Sequence, residues 1–324
     1  MILNYAKGPF IKNVPTIPSM MRDVIFTLSV LLIIPIVQYG VRPLVMAVCT
    51  MFVSVICEII FNLIQGNKIG AGDGSSLVTG LMIVMLMPVN APIWLPCMAA
   101  VFAVIVAKMP FGAFGHTPFN PAAAGVAFAA LCYPHLVFRY IDSSAKNLPA
   151  FGDCTGDIVS STAAVLKNGL KPSILPLDML WGAFEGPLGT TGILIICAGG
   201  LYLFIKRTAN WEITAAFLAA ALIIAAFWPR IECSMITSVK YELLSGSLLF
   251  CSVFMVTDPV TSPRTKPAKI AYGFICGVLV MVFRRFGAFE QGACFALLIA
   301  NALAPQIDVI FSGSFETGDV LYEK

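Results

Sequence analysis

The sequence predicts an all-α polytopic membrane protein of about ten transmembrane helices, arranged as two inverted five-helix repeats with broken helices. Three observations predict it. Hydrophobic residues make up 59% of the 324 residues and charged residues only 11%, with a mean hydropathy of +0.90. That is more apolar surface than one soluble core can hide. The tetrapeptide Phe111-Gly112-Ala113-Phe114 recurs as Phe286-Gly287-Ala288-Phe289, each copy followed by an apolar run rich in small residues. Finally, five apolar segments precede a long polar stretch and five follow it.

The segments fall approximately at 24–40, 42–65, 75–88, 93–108 and 120–138, then at 190–205, 211–228, 243–257, 269–283 and 289–305. A uniform helical span needs about 20 residues, and 75–88 and 243–257 fall short of it. Each of these sits at the corresponding place in its repeat and runs into a proline break. Leu77-Val78-Thr79-Gly80-Leu81 leads to the break Pro88-Val89-Asn90-Ala91-Pro92, and Leu244-Ser245-Gly246-Ser247-Leu248 leads to the break from Asp258-Pro259 to Pro263. Broken helices are tolerated within a membrane where they are buried in protein or line a cavity. The expected units are therefore a first repeat over 1–138, a polar connection over 139–189, a second repeat over 190–305 and a tail over 306–324.

Five spans per repeat is an odd number, so the second copy enters the membrane upside down. Lys and Arg in short loops set the orientation. An inner amino terminus collects Lys7, Lys12, Arg22, Lys68, Lys108, Lys206, Arg207, Arg264, Lys266 and Lys269 on the inner side, and leaves Arg42, Arg230, Lys240, Arg284 and Arg285 outside. On that reading both termini are cytoplasmic and 139–189 is external. No cleavable signal segment is expected ahead of the first apolar run, which follows a polar stretch.

Composition excludes several classes of function. A net charge of +3 is too small to point to nucleic acid. Only His116 and His135 are present, which rules out a His-rich metal site. Most of the ten cysteines lie inside apolar runs without CxxC spacing and read as small packing residues. Two alternatives stay open: a cluster shared with another subunit, and a disulfide between Cys154 and Cys233. There is no Rossmann glycine fingerprint.

Two constellations could carry chemistry. Half-helix amino termini offer unpaired N–H groups to an anionic or carbonyl-bearing ligand, and interrupted helices offer carbonyls to a cation. The segments around Thr79-Gly80, Asn120-Pro121 and Thr257-Asp258-Pro259 are candidates to line such a cavity. The second is Asp157-Ile158-Val159-Ser160-Ser161-Thr162-Ala163-Ala164 in the polar stretch, which by itself reads as a Ser-rich turn entering a short helix. Asp258, Lys108, Arg284, Arg285 and Glu290 flank or enter apolar segments. The arginine pair and Lys108 read as side chains snorkelling to the interface. Asp258, between a Thr and a Pro at a break, is the better candidate for ion binding.

The run from Gly72-Asp73-Gly74-Ser75-Ser76-Leu77-Val78-Thr79-Gly80 through Phe111-Gly112 and Asn120-Pro121-Ala122-Ala123 to Tyr133-Pro134 resembles the family of RnfD and NqrB. These are membrane subunits of the Rnf complex and of the sodium-pumping NADH:quinone oxidoreductase. Gly186-Pro187-Leu188-Gly189, Gly199-Gly200-Leu201-Tyr202 with Trp211, and Thr257-Asp258-Pro259-Val260-Thr261-Ser262-Pro263 extend the likeness over most of the chain. Its length favours RnfD.

The resemblance implies FMN joined through its phosphate to a threonine hydroxyl on the outer face by a flavin transferase. The family's attachment pattern places an Asp, two variable residues, Ser or Thr, a small residue and Ala before the acceptor Thr. Asp157, Ser160 and Ser161 fit it, and the last two positions are swapped as Thr162 and Ala163. Thr162 is the expected acceptor, with Ser160 and Ser161 as fallbacks. The resemblance also implies a noncovalent riboflavin among the broken helices. It further implies a bacterial or archaeal inner-membrane relay in a ferredoxin:NAD oxidoreductase complex that translocates sodium ions or protons. That relay works with other membrane and peripheral subunits and is not catalytic alone. The alternatives are an NqrB-like subunit of the quinone-reducing enzyme and, from a different class, a urea-channel-like transporter without a redox role.

Overall fold

The computed structural model describes residues 16–66, 73–112, 115–143, 145–152, 154, 156–182 and 184–312. Lys7, Lys12, Lys68, Ala113-Phe114 of the first tetrapeptide and most of the expected tail lie outside them. Helix is the dominant state, and the only strands among these residues are β1 (Tyr140–Ile141) and β2 (Ile158–Val159), paired antiparallel.

The first half contains α1 (Ile17–Tyr39), α2 (Arg42–Ile64), the short α3 (Ser75–Met85), α4 (Trp94–Phe102) and α5 (Pro121–Cys132). Helix α4 widens into a π-helical continuation, Ala103–Lys108. Between the halves lie α6 (Pro134–Val137), α7 (Thr162–Lys167) and α8 (Pro176–Leu180). The second half contains α9 (Ile193–Ile205), α10 (Trp211–Phe227), α11 (Met235–Leu244), the single turn α12 (Leu248–Phe250) with a π-helical extension Cys251–Met255, α13 (Lys266–Phe286) and α14 (Ala293–Ser312). Five helices, counting α4 with its continuation to Phe111, are long and apolar enough to span a membrane. Helices α3, α5, α9 and α10 are shorter and apolar.

Two segments depart from the expected spans. Residues 120–138 do not form one helix, because Pro134 cannot donate to the i−4 carbonyl and Tyr133 before it leaves the helical region (φ −134, ψ 56). Residues 243–257 break at Ser245 and at Gly246 (φ 61), so Leu243 and Leu244 end α11 and helix resumes only at Leu248.

Packing repeats between the halves. Helix α2 packs on α3 and α4, α4 on α5, and α1 on α3; correspondingly α10 packs on the π-helical turn and α13, α13 on α14, and α9 on α12. The halves meet through α1 against α9 and through α5 against α14. The second bundle repeats the packing order of the first. Its closest internal contact is α10 with α13, where Gly273 and Gly277 stand one turn apart. A Cβ on Gly273 would lie 2.5 Å from the Ile213 carbonyl oxygen, and one on Gly277 would press as hard on that of Phe217. Only glycine lets the backbones approach this closely.

The breaks are satisfied by the chain itself. At the carboxyl end of α3, Gly189 N donates to Met85 O (2.7 Å) and Leu188 N to Met87 O (3.0 Å), so the end of the polar connection folds back onto the bundle. Arg42, 1% exposed, donates Nε to Val89 O (2.8 Å), Nη2 to Ala91 O (3.1 Å), and Nη1 to Pro149 O (3.0 Å) and Gly152 O (2.9 Å). It joins the first break to the connection without a carboxylate in any of these bonds, its charge facing carbonyls just past a helix carboxyl end.

In the second half Arg284 closes a comparable gap. It donates to Glu242 O (2.9 Å), to Ser245 O (2.7 Å) and to Glu242 Oε2 (3.2 Å), and Glu242 is also paired with Arg230. The snorkelling expected of Arg284 is therefore corrected: at 1% exposure it is committed to the carbonyls of a broken turn. Arg285 does reach the surface, over the Trp228 ring (4.3 Å) and against the carbonyls of Trp228 and Pro229. Cys233 is a free thiol, so the bridge considered with Cys154 is not formed.

Replacing Gly277 with Leu should lower the thermal midpoint in detergent by the cost of overpacking, about 1–3 kcal/mol, and a midpoint matching the parent would show that α10 and α13 do not touch there. Arg42→Lys keeps the charge and loses the fork. It should cost about 2–3 kcal/mol, read as increased protease access to 139–189.

Candidate functional site

Three segments that the sequence singles out converge on one cavity. It encloses about 70 Å³ and is lined by Thr79 of α3, Asn120 and Pro121 at the start of α5, and Thr257, Asp258 and Pro259 after the second π-helical turn. Met20, Met21 and Val24 of α1 and Leu203, Thr208 and Ala209 close it from the seam between the halves.

Local rules place each polar group. Asn120 caps α5, its Oδ1 accepting from Ala123 N (3.1 Å), ahead of Pro121, which fits the first helical turn. Its Nδ2 crosses to the other half, donating to Asp258 Oδ2 (3.3 Å) and Met255 O (3.5 Å). Asp258 Oδ1 accepts from Val260 N (3.1 Å). The hydroxyls of Thr79 and Thr257 donate to carbonyls one turn back, Ser75 O (2.9 Å) and Val253 O (2.6 Å). Both π-helical segments contribute to the wall, through Lys108 and through Val253 and Phe254. Such segments are frequent at functional sites because they leave i→i−4 carbonyls unpaired.

Gly80 does not join its neighbour. It faces α2, where a Cβ would lie 2.7 Å from Ser54 Oγ, so it serves helix packing rather than the cavity. Sequence reasoning missed Ser75, Thr117 and Thr208 as lining groups, and it misplaced Lys108. Expected at the interface, Lys108 is 1% exposed, and its ammonium donates to Ser75 Oγ and Ser76 Oγ (2.7 Å each) and lies 3.4 Å from Glu58 Oε2. Ser75 in turn donates to Asp73 Oδ1 (2.5 Å). The signal was present in Asp73-Gly74-Ser75-Ser76, a helix start carrying two hydroxyls with no apolar alternative for a nearby cation.

The residues of the polar connection form a separate group. Asp157 and Ser160 are exposed. Ser161 caps α7 by accepting from Ala164 N (3.0 Å), and its hydroxyl donates to Glu290 Oε2 (2.8 Å). Thr162 is 3% exposed, and its Oγ1 has no hydrogen-bond partner among the described residues; the same holds for Glu290 Oε1. Burial raises the Glu290 carboxyl above the usual carboxylate range, against the lowering effect of Ser161. Lys167 donates to Ala288 O and so ties α7 to the second tetrapeptide. Among the described residues no group of three or more His, Cys, Asp or Glu could hold a metal ion.

Comparison with known proteins extends the picture along the whole chain. Residues 4–314 match the NQR2, RnfD, RnfE family. The RnfD subunit of the ion-translocating oxidoreductase complex of Halorhodospira halophila is 27% identical, with 93% of this chain and 92% of the relative covered. The corresponding subunit of Cronobacter sakazakii is 32% identical over 73% of this chain and 76% of its own. Its counterpart in the Na(+)-translocating ferredoxin:NAD(+) oxidoreductase complex of Acetobacterium woodii is 29% identical over 94% of this chain and 92% of its own. Apolar helices in two halves that pack in the same order, segments of both halves that meet at one cavity, and a match over residues 4–314 place this multi-pass membrane chain in the NQR2, RnfD, RnfE family.

Proposed function

We propose that this chain is the RnfD subunit of an Rnf-type complex, a membrane relay carrying electrons between ferredoxin and NAD while the complex moves sodium ions or protons. The observation that carries the proposal is the convergence of Thr79, Asn120, Thr257 and Asp258, from both halves, on one cavity. The relatives named as subunits of ion-translocating oxidoreductase complexes support it, and nothing in them favours the urea-channel-like or the quinone-reducing alternative. The chain works with other membrane and peripheral subunits, sits in the cytoplasmic membrane of a bacterium or archaeon, and keeps its amino terminus inside.

The residues present fit two flavins. Flavin supplies reversible electron uptake, and the protein supplies position, orientation and electrostatics. Thr162 fits as the phosphoester tether for FMN. Its hydroxyl breaks no hydrogen bond on becoming an ester, whereas that of Ser161 is already held by Glu290. Ser160 is the accessible fallback, and Asp157 lies at the exposed edge of the same segment. A flavin transferase would carry out the attachment on the outer side.

For a noncovalent riboflavin, the cavity offers Asn120 and the hydroxyls of Thr79 and Thr257 as hydrogen-bonding groups, with Met20, Met82 and Phe254 as apolar walls. Asp258 is half-buried where the halves meet. Its bond from Asn120 makes it sensitive to any ligand or cation that competes for its carboxylate.

Mass spectrometry of the peptide holding Ser160, Ser161 and Thr162, from complex matured in its native host, should show one FMN on Thr162. A bare peptide defeats the tether, and a modified serine moves it. Asp258→Asn in the assembled complex should reduce the sodium dependence of electron transfer, because a carboxylate in the membrane interior is retained for charge. Unchanged sodium dependence removes the ion-binding role.

A further inference from the structure

A larger cleft, of about 500 Å³, lies between the start of α13 and the later turns of α14. It shares Thr117 with the cavity and is otherwise separate from it. Pro305, inside α14, lines it and has no N–H to give the carbonyl four residues back, that of Asn301. Three residues of the wall carry unmet polar groups. Asn301, 2% exposed, spends its Oδ1 on the Tyr272 hydroxyl (2.6 Å) and leaves Nδ2 without a partner among the described residues. Thr261, 5% exposed, and Thr265 each keep a buried Oγ1 in the same condition. Buried polar atoms are rarely left this way, and three around one cleft call for something to fill it.

The charges of the cleft are also unspent. Arg264 is exposed at its edge, and among the described residues only its backbone N–H is engaged, with Asp308 Oδ1 (3.0 Å) and Oδ2 (3.1 Å). Asp308 accepts from Thr265 N as well (3.4 Å) and keeps lone pairs free, since a carboxylate has about four acceptor sites. The ion pairs among the described residues belong to Lys108, Arg230 and Arg284. A guanidinium and a carboxylate therefore share one cleft without pairing. Their setting is the end of two helices long and apolar enough to span a membrane, which is headgroup depth. Toward the membrane interior Ile270 and Phe274 of α13 follow Lys266 at four-residue intervals on one helix face, and both are exposed, as is Ile299 of α14.

We propose that this cleft binds the headgroup of an aminophospholipid, with its phosphate at Arg264, its ammonium at Asp308 and its acyl chains along Ile270 and Phe274. A cation and an anion held apart match a zwitterion, and the exposed apolar stripe matches a ligand with tails. Basic pockets between membrane helices hold lipid headgroups by the same chemistry.

The test is native mass spectrometry of the full-length chain, released from detergent after incubation with dioleoyl phosphatidylethanolamine or dioleoyl phosphatidylglycerol. The parent should retain one phosphatidylethanolamine in preference to phosphatidylglycerol. Arg264→Gln, at an exposed position, should weaken that retention by about tenfold, the loss of one charge-assisted bond. Asp308→Asn should narrow the preference between the two lipids. Retention unchanged in Arg264→Gln overturns the inference, and so does equal retention of both lipids by the parent, which marks annular lipid only. O-Phosphoethanolamine displacing the lipid at equal concentration would assign the cleft to a soluble zwitterion and overturn it too. If Asp308→Asn does not fold, the parent's lipid preference and Arg264→Gln decide alone.

Discussion

Every interruption of a helix inside this bundle has to find hydrogen-bond partners from protein, because lipid offers none. That constraint explains the least expected features of the structure. The carboxyl end of α3 is answered by Leu188 and Gly189 from a segment that looks like an external connection. The break after it is held by the four carbonyl bonds of Arg42, and the broken turn before α12 by Arg284 with Glu242. The start of α5 is held by Asn120, which then turns its remaining amide to the other half. Of these groups Asn120 lines the cavity, together with side chains from both halves.

Much of this was legible in the residues. Apolar runs identified the helices, and the proline breaks at Pro88 to Pro92 and at Asp258 to Pro263 identified where two short ones would end. Asn120-Pro121 is a helix start by its residue types alone. What could not be read is which side of a helix each residue occupies once the helix is short and packed all round. Thr79 and Gly80 are adjacent in sequence and diverge in space, one to the cavity and the other to α2.

The charged residues show the same gap in a different form. Lys108, Arg284 and Arg285 look alike beside apolar runs, and a long side chain near a span end ordinarily reaches water. Only Arg285 does so. The other two are claimed by groups distant in sequence, Ser75 and Ser76 for Lys108, Glu242 and Ser245 for Arg284. No local pattern announces those partners. The segment from Asp157 to Ala164 was legible as a turn entering a short helix, whereas the difference between a capped Ser161 and an unpartnered Thr162 needed Glu290, which arrives from the other end of the chain.

The cavity wall begins at Met20 and ends at Pro259, with both bundles contributing. A ribosome feeding this chain into the bilayer therefore produces no enclosed chamber until Pro259 has emerged and the later bundle has closed on the earlier one. Any molecule resident there arrives after insertion, by way of the seam, and its arrival fastens together two bodies that translation delivered separately.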